Sequence, residues 1–163
     1  MFGKLKNLFS SSGIAVAAPV SGTVVPLSEV PDPTFAQGIL GPGAAVQPSE
    51  GRIVAPANGT VDMMFDTGHA VSMTTAEGAE LLIHVGIDTV NLKGQHYTAK
   101  CKSGDTVRKG DTLIEFDIDA IREAGYEVVT PVIVCNPDAF ASVKTEDAGS
   151  VQAGDDLLTL EKK

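Results

Sequence analysis

The chain has 163 residues and a mass of 16.9 kDa, enough for one domain that buries roughly 70% of its unfolded surface without disulfides. Twelve Lys and Arg against 21 Asp and Glu leave a net charge of −9, a surface that repels phosphate backbones and argues against nucleic acid as a partner. With 17 Gly, 9 Pro, no Trp and few aromatics (6 Phe, 2 Tyr), many short elements around an aliphatic core are expected rather than long helices.

Residues 1–9, Met-Phe-Gly-Lys-Leu-Lys-Asn-Leu-Phe, place Phe2, Leu5, Leu8 and Phe9 near one side of a helix, with Lys4 and Lys6 elsewhere. So short a segment is below the length of a stable isolated helix and reads as a frayed terminus, capable at most of weak contact with an anionic membrane surface. Ser10-Ser11-Ser12-Gly13 reads as a linker, giving a flexible segment 1–13 ahead of a single domain over 14–163. Short β-rich runs at 20–27, 59–65, 70–75, 79–87, 112–116, 128–134 and 156–160 alternate with Gly, Pro, Asn and Asp. Helical signals are confined to 33–37 and 137–141, each opening at a proline, and 119–124, with Asp119 as cap and Gly125 as stop. The fold class is all-β: an antiparallel β-sandwich or barrel with duplicated hairpin motifs and a few very short helices. Cys101 and Cys135 show no Cys-x-x-Cys spacing, no signal peptide is evident, and no apolar run approaches the ~18 residues of a membrane span. A cytoplasmic protein with reduced thiols is expected.

Two internal echoes support the duplication. Ala18-Pro19-Val20-Ser21-Gly22-Thr23-Val24 returns as Ala55-Pro56-Ala57-Asn58-Gly59-Thr60-Val61, and Val107-x-x-Gly110-Asp111-x-Leu113 returns as Val151-x-x-Gly154-Asp155-x-Leu157. Each reads as a tight turn between strands, with Gly relaxing the backbone and Asp bonding back to it.

The chemistry centres on histidine. His84 emerges from Glu80-Leu-Leu-Ile-His84-Val-Gly86, where the two-residue period puts Leu82 and His84 on one face and Leu81, Ile83 and Val85 on the other. His69 follows Thr67-Gly68 and opens the strand Ala70–Met73, so an antiparallel pair can bring the two imidazoles face to face. Either ring alone also reads as a satisfied core histidine. Facing imidazoles permit phosphoryl transfer, one ring as nucleophile and the other donating to phosphoryl oxygens. They also permit zinc ligation, which needs at least three protein ligands and would recruit Asp88. No His-Glu-x-x-His, serine elbow or Walker loop is present, and phosphorylation needs the fewer parts.

Thr67-Gly68-His69-Ala70-Val71-Ser72, followed by Leu82-Ile83-His84-Val85-Gly86-Ile87-Asp88-Thr89-Val90-Asn91-Leu92-Lys93-Gly94, resembles the paired-histidine core of the glucose-type enzyme IIA of the bacterial phosphoenolpyruvate:sugar phosphotransferase system. Val30-Pro31-Asp32-x-x-Phe35-Ala36, Val54-Ala55-Pro56-x-x-Gly59-Thr60, Gly104-Asp105-x-Val107 and Thr130-Pro131-Val132 extend the resemblance, in order, over roughly residues 14–161. It implies a free-standing IIA that takes a phosphoryl group from phospho-HPr on His84 and passes it to the cysteine of a sugar-specific IIB domain. It further implies that His69 stabilises the bound group and that the Thr67 hydroxyl orients His69. Phe35, Leu40, Phe65, Leu82 and Val90 match an apolar partner face, and Asp32 and Asp88 its acidic rim, through which unphosphorylated protein can also meet regulatory targets. No cofactor is required, although the resemblance allows Zn²⁺ between His69 and His84 with a partner's carboxylate.

Two departures are visible: Pro42 between Gly41 and Gly43, where the family usually has Asp, and His96, where it usually has Gly. The hairpin echoes also suit biotinyl or lipoyl carriers, but Asp117-Ile-Asp-Ala-Ile121 offers no modifiable lysine. A zinc-dependent hydrolase of duplicated-hairpin type is the other alternative; its His-x-His pair is missing.

Overall fold

The computed structural model describes residues 13–146 and 149–163. The expected helical or membrane-contacting segment 1–9, and all of the flexible segment but Gly13, lie outside the described residues. Among the described residues fourteen strands follow in chain order. The first seven are β1 (Gly13–Ala17), β2 (Gly22–Pro26), β3 (Gly43–Pro48), β4 (Arg52–Val54), β5 (Gly59–Met64), β6 (Ala70–Thr75) and β7 (Glu80–His84). The rest are β8 (Tyr97–Ala99), β9 (Thr106–Val107), β10 (Thr112–Phe116), β11 (Thr130–Val134), β12 (Phe140–Thr145), β13 (Ser150–Val151) and β14 (Asp156–Lys162). They form an eight-stranded sheet, β13-β2-β3-β11-β7-β6-β5-β9, and two three-stranded sheets, β1-β14-β12 and β4-β10-β8. Every pairing is antiparallel.

The expected all-β class is therefore the observed one. Two short helices, α1 (Pro33–Ala36) and α2 (Ile118–Glu123), interrupt it. Asp117, rather than the expected Asp119, caps α2, its carboxylate accepting from Ala120 N–H at 3.0 Å. The third expected helix shrinks to a 3-10 turn at Pro137–Ala139 because the chain enters β12 at Phe140. Further 3-10 turns occur at Leu27–Glu29 and Thr89–Leu92, too short to leave a helical period.

Strand alternation sorts the core into two compartments. Leu81 and Ile83 of β7, with Val132 and Val134 of β11, join the main core between the sheets. Ile133 turns the other way, into a smaller cluster with Val30, Phe35, Ala45, Ile87 and Val129, against which Leu82 packs. All of β11 is buried because both its faces are covered. At roughly 1.5–3 kcal/mol per buried aliphatic side chain, both compartments contribute substantially. The smaller one underlies the His84 face of β7. There the β7–β11 ladder ends at Ile83↔Val132; the next residue of β11 is Pro131, which has no N–H to offer. The regular ladder stops at the end of β7 that carries His84, and Gly86 N–H resumes contact with that segment at Val129 O.

The two echoes prove to be one construction. Ala17 N–H donates to Pro56 O at 3.1 Å and Val54 N–H to Pro19 O at 2.7 Å, so the two Ala-Pro segments clasp each other reciprocally. Each is then gripped by a Gly-Asp turn: Ala18 exchanges bonds with Gly154 and Asp155, and Ala55 with Gly110 and Asp111. Inside each turn the Asp carboxylate accepts the N–H three residues back, Arg108 and Gln152 respectively, both at 2.9 Å. Lys102–Asp105 forms a third turn of the same design, which the echoes do not reveal.

Candidate functional site

His84 ends β7 and His69 stands one residue before β6. The register pairs His84 with Ala70, and Val85 N–H donates to His69 O at 2.7 Å. A continued strand would therefore set His69 opposite Val85, on the side of the main core. The bend at Gly68, φ +71°, and His69 instead brings the imidazole against His84, with ring centroids 4.9 Å apart and planes at 81°. The two histidines do come together, but edge-on and through a turn rather than face to face across paired strands.

Each ring is held at Nδ1. His69, only 3% exposed, shares a hydrogen bond with the Thr67 hydroxyl. His84, half-buried, donates from Nδ1 to the Gly86 carbonyl at 2.7 Å. A carbonyl can only accept, so this bond assigns the His84 Nδ1–H tautomer and leaves the Nε2 lone pair available. Gly86 has φ +91°, and a Cβ there would lie 2.5 Å from Thr89 Cγ2 and 2.8 Å from Glu127 O. Glycine is thus required both for the backbone conformation and for space. Its neighbours fix the turn: Val85 O accepts from Thr89 Oγ1 at 2.7 Å and Tyr97 Oη at 2.8 Å, and Gly86 N–H donates to Val129 O at 3.1 Å.

Burial, with the neighbouring His84 as a lesser cause, pushes the His69 pKa from 6.5 down to about 4. Burial also lowers that of His84, against the opposing pull of the Gly86 carbonyl, Asp32 and Asp88. Desolvation prevails in both, so two neutral rings face each other at pH 7.

Around them, Phe35 lies 5.1 Å from the His84 ring and Phe65 5.5 Å from His69, centroid to centroid. Phe35 is buried in the smaller cluster, so it floors the site rather than offering an exposed docking surface. Leu82 shares the His84 face of β7 and is half-buried. Asp32 caps α1, its carboxylate accepting from Thr34 N–H at 2.9 Å, while Asp88 stands exposed in the left-handed region, φ 59°. Both are near enough to act on the charge of His84. Leu40, on the loop after α1, and Val90, in the 3-10 turn after Asp88, are 39% and 51% exposed. Sequence reasoning overlooked Ile39, which at 67% is more exposed than either; the apolar pair Ile39-Leu40 between Gly38 and Gly41 was its signal.

The expected Zn²⁺ site is corrected. Among the described residues no group of three or more His, Cys, Asp or Glu side chains is placed to hold a metal ion. His69 and His84 are two donors, short of the three that catalytic zinc requires from a protein. The zinc-hydrolase alternative falls with it.

A family model for the phosphoenolpyruvate-dependent sugar phosphotransferase system EIIA 1 matches residues 14–140. The chain belongs to this family. It is 44% identical over 158 residues to the glucose-specific EIIA component of Oceanobacillus iheyensis, covering 94% of this chain and 96% of that one. It is 46% identical over 145 residues to the β-glucoside-specific EIIBCA component of Bacillus subtilis, covering 89% of this chain but only 24% of that longer protein. The glucose permease IIA structure from Mycoplasma capricolum superimposes with a TM-score of 0.85 at 31% identity, covering 90% of this chain and 95% of that one. This EIIA is a phosphoryl-transfer carrier, and the biotinyl or lipoyl alternative is set aside. Among its described residues, no helix is long and apolar enough to cross a membrane.

Proposed function

We propose that residues 14–163 act as one cytoplasmic phosphocarrier domain, in which His84 Nε2 takes the phosphoryl group from the phosphohistidine of HPr and yields it to the cysteine of a sugar-specific IIB domain. The observation that carries this reading is the bond from His84 Nδ1 to the Gly86 carbonyl, which leaves the lone pair on the other nitrogen. As the P–N bond to HPr breaks, a P–N bond to Nε2 forms, and the proton stays on Nδ1, hydrogen-bonded to the Gly86 carbonyl. In the onward step the IIB thiolate displaces phosphorus from Nε2, and His84 regains its neutral form.

His69 serves as the electrostatic partner. With the Thr67 hydroxyl donating to its Nδ1, the proton resides on Nε2, where it can donate to phosphoryl oxygens as charge gathers on them. Burial keeps the ring neutral and its geometry prearranged. Leu40, Phe65, Leu82 and Val90, over Phe35, form the apolar part of the docking face, and Ile39 joins them. Asp32 and Asp88 supply the local negative field that steers a basic partner.

The test is phosphorylation by enzyme I, HPr and radiolabelled phosphoenolpyruvate, giving an acid-labile, alkali-stable label. His84→Ala is expected to abolish it. His69→Gln is expected to accept the group but fail to pass it to a IIB domain. Labelling that survives His84→Ala overturns the assignment.

A further inference from the structure

We propose that Tyr97 is a positioning residue for phosphoryl transfer, its hydroxyl holding the Val85–Ile87 turn so that the Gly86 carbonyl stays on His84 Nδ1; the proposal rests on the reading of His84 as acceptor. Three backbone groups surround that carbonyl. Val85 O accepts from the hydroxyls of Thr89 and Tyr97, Gly86 N–H donates to Val129 O at 3.1 Å, and Ile87 N–H donates to Glu127 O at 3.1 Å. The peptide planes on both sides of Gly86 are therefore anchored, and the direction of its own carbonyl follows from them.

The two hydroxyls on Val85 O are not equivalent. Thr89 belongs to the same turn, four residues on, and moves with it. Tyr97 opens β8, in the sheet β4-β10-β8, and ties the turn to a different layer of the protein. Its ring is braced from behind by Phe116, at a centroid distance of 6.3 Å and an interplanar angle of 24°. It also backs the other histidine turn, since a Cβ on Gly68, the residue before His69, would lie 3.3 Å from Tyr97 Cβ. One side chain thus bonds to the turn that holds His84 and stands close behind the one that leads to His69. Burial raises the phenol pKa to about 12, so it remains a proton donor across the working range.

Packing alone would be served equally by phenylalanine, which makes Tyr97→Phe the informative change. In ¹⁵N-labelled protein, long-range ¹H–¹⁵N correlations of His84 should show the Nδ1–H tautomer in the wild type and a gain of the Nε2–H tautomer in Tyr97→Phe. Single-turnover transfer from phospho-HPr should slow by roughly 2- to 10-fold, the kinetic equivalent of losing one hydrogen bond. A residue with a merely structural role would change stability without moving the tautomer. If wild-type protein takes label on His84 while the His84 correlations and transfer rate of Tyr97→Phe superimpose on those of the wild type, the role of Tyr97 is overturned. If wild-type protein takes no label on His84, the acceptor assignment is overturned instead.

Discussion

Replacing Gly86 by alanine should damage both stability and transfer, and a second glycine allows the causes to be separated. Gly86 and Gly78 share nearly the same backbone, φ +91° and +93°, but a Cβ on Gly78 would meet nothing within 4 Å. The conformational cost, about 1–2 kcal/mol for a non-glycine residue in the left-handed region, is common to both. At Gly86 the new methyl must also displace Thr89 Cγ2, 2.5 Å away, or the Glu127 carbonyl, 2.8 Å away. Thr89 cannot simply rotate: it is fully buried and its hydroxyl is committed to Val85 O. Overpacking of this kind adds about 1–3 kcal/mol, for a total of about 2–5 kcal/mol at Gly86 against about 1–2 kcal/mol at Gly78. Urea denaturation of the two variants measures the difference, and phosphorylation by HPr should be slowed in Gly86→Ala alone. Equal destabilisation by the two substitutions, with equal labelling rates, would refute the reasoning.

Acidity should loosen the protein through its histidines. A histidine whose pKa falls from 6.5 to about 4 on folding binds fewer protons in the native state, so its contribution is fully present above pH 6.5 and is lost as pH falls through 4. For His69 this amounts to about 3 kcal/mol; His84 shifts in the same direction. His69→Gln should flatten the decline in urea stability between pH 6.5 and 4, and an unchanged slope would count against it. Thr67→Val should leave the buried Nδ1 of His69 without its partner, at a cost of about 1–3 kcal/mol. Thermal unfolding measures that loss, and NMR of the His69 ring should show both tautomers; a single retained tautomer would contradict the assigned role of the hydroxyl.

Legibility followed local pattern. The strands around Val61, Val71, Ile83 and Leu158 carry aliphatic runs or alternation that the sequence displays directly. β3, Gly-Ala-Ala-Val-Gln-Pro, is built of residues with weak strand preference, and β9 and β13 are two residues long, so their existence depends on partners far along the chain. The histidine pair stood out because few histidines occur and each borders a glycine turn. Its meeting through a bend, and the buried position of Phe35, depend on tertiary packing that no spacing encodes. The two-donor limit that removes zinc likewise appears only once Asp88 is placed.

The outermost strands have a consequence for how this unit can be deployed. β1 runs antiparallel to β14 from Gly13↔Glu161 onward, so the chain enters and leaves the fold side by side. His84 lies on β7 and His69 just ahead of β6, both strands of the eight-stranded sheet. Adjacent ends suit a unit found both as nearly a whole chain and as one segment of a longer one, the two lengths shown by its glucose-specific and β-glucoside-specific relatives.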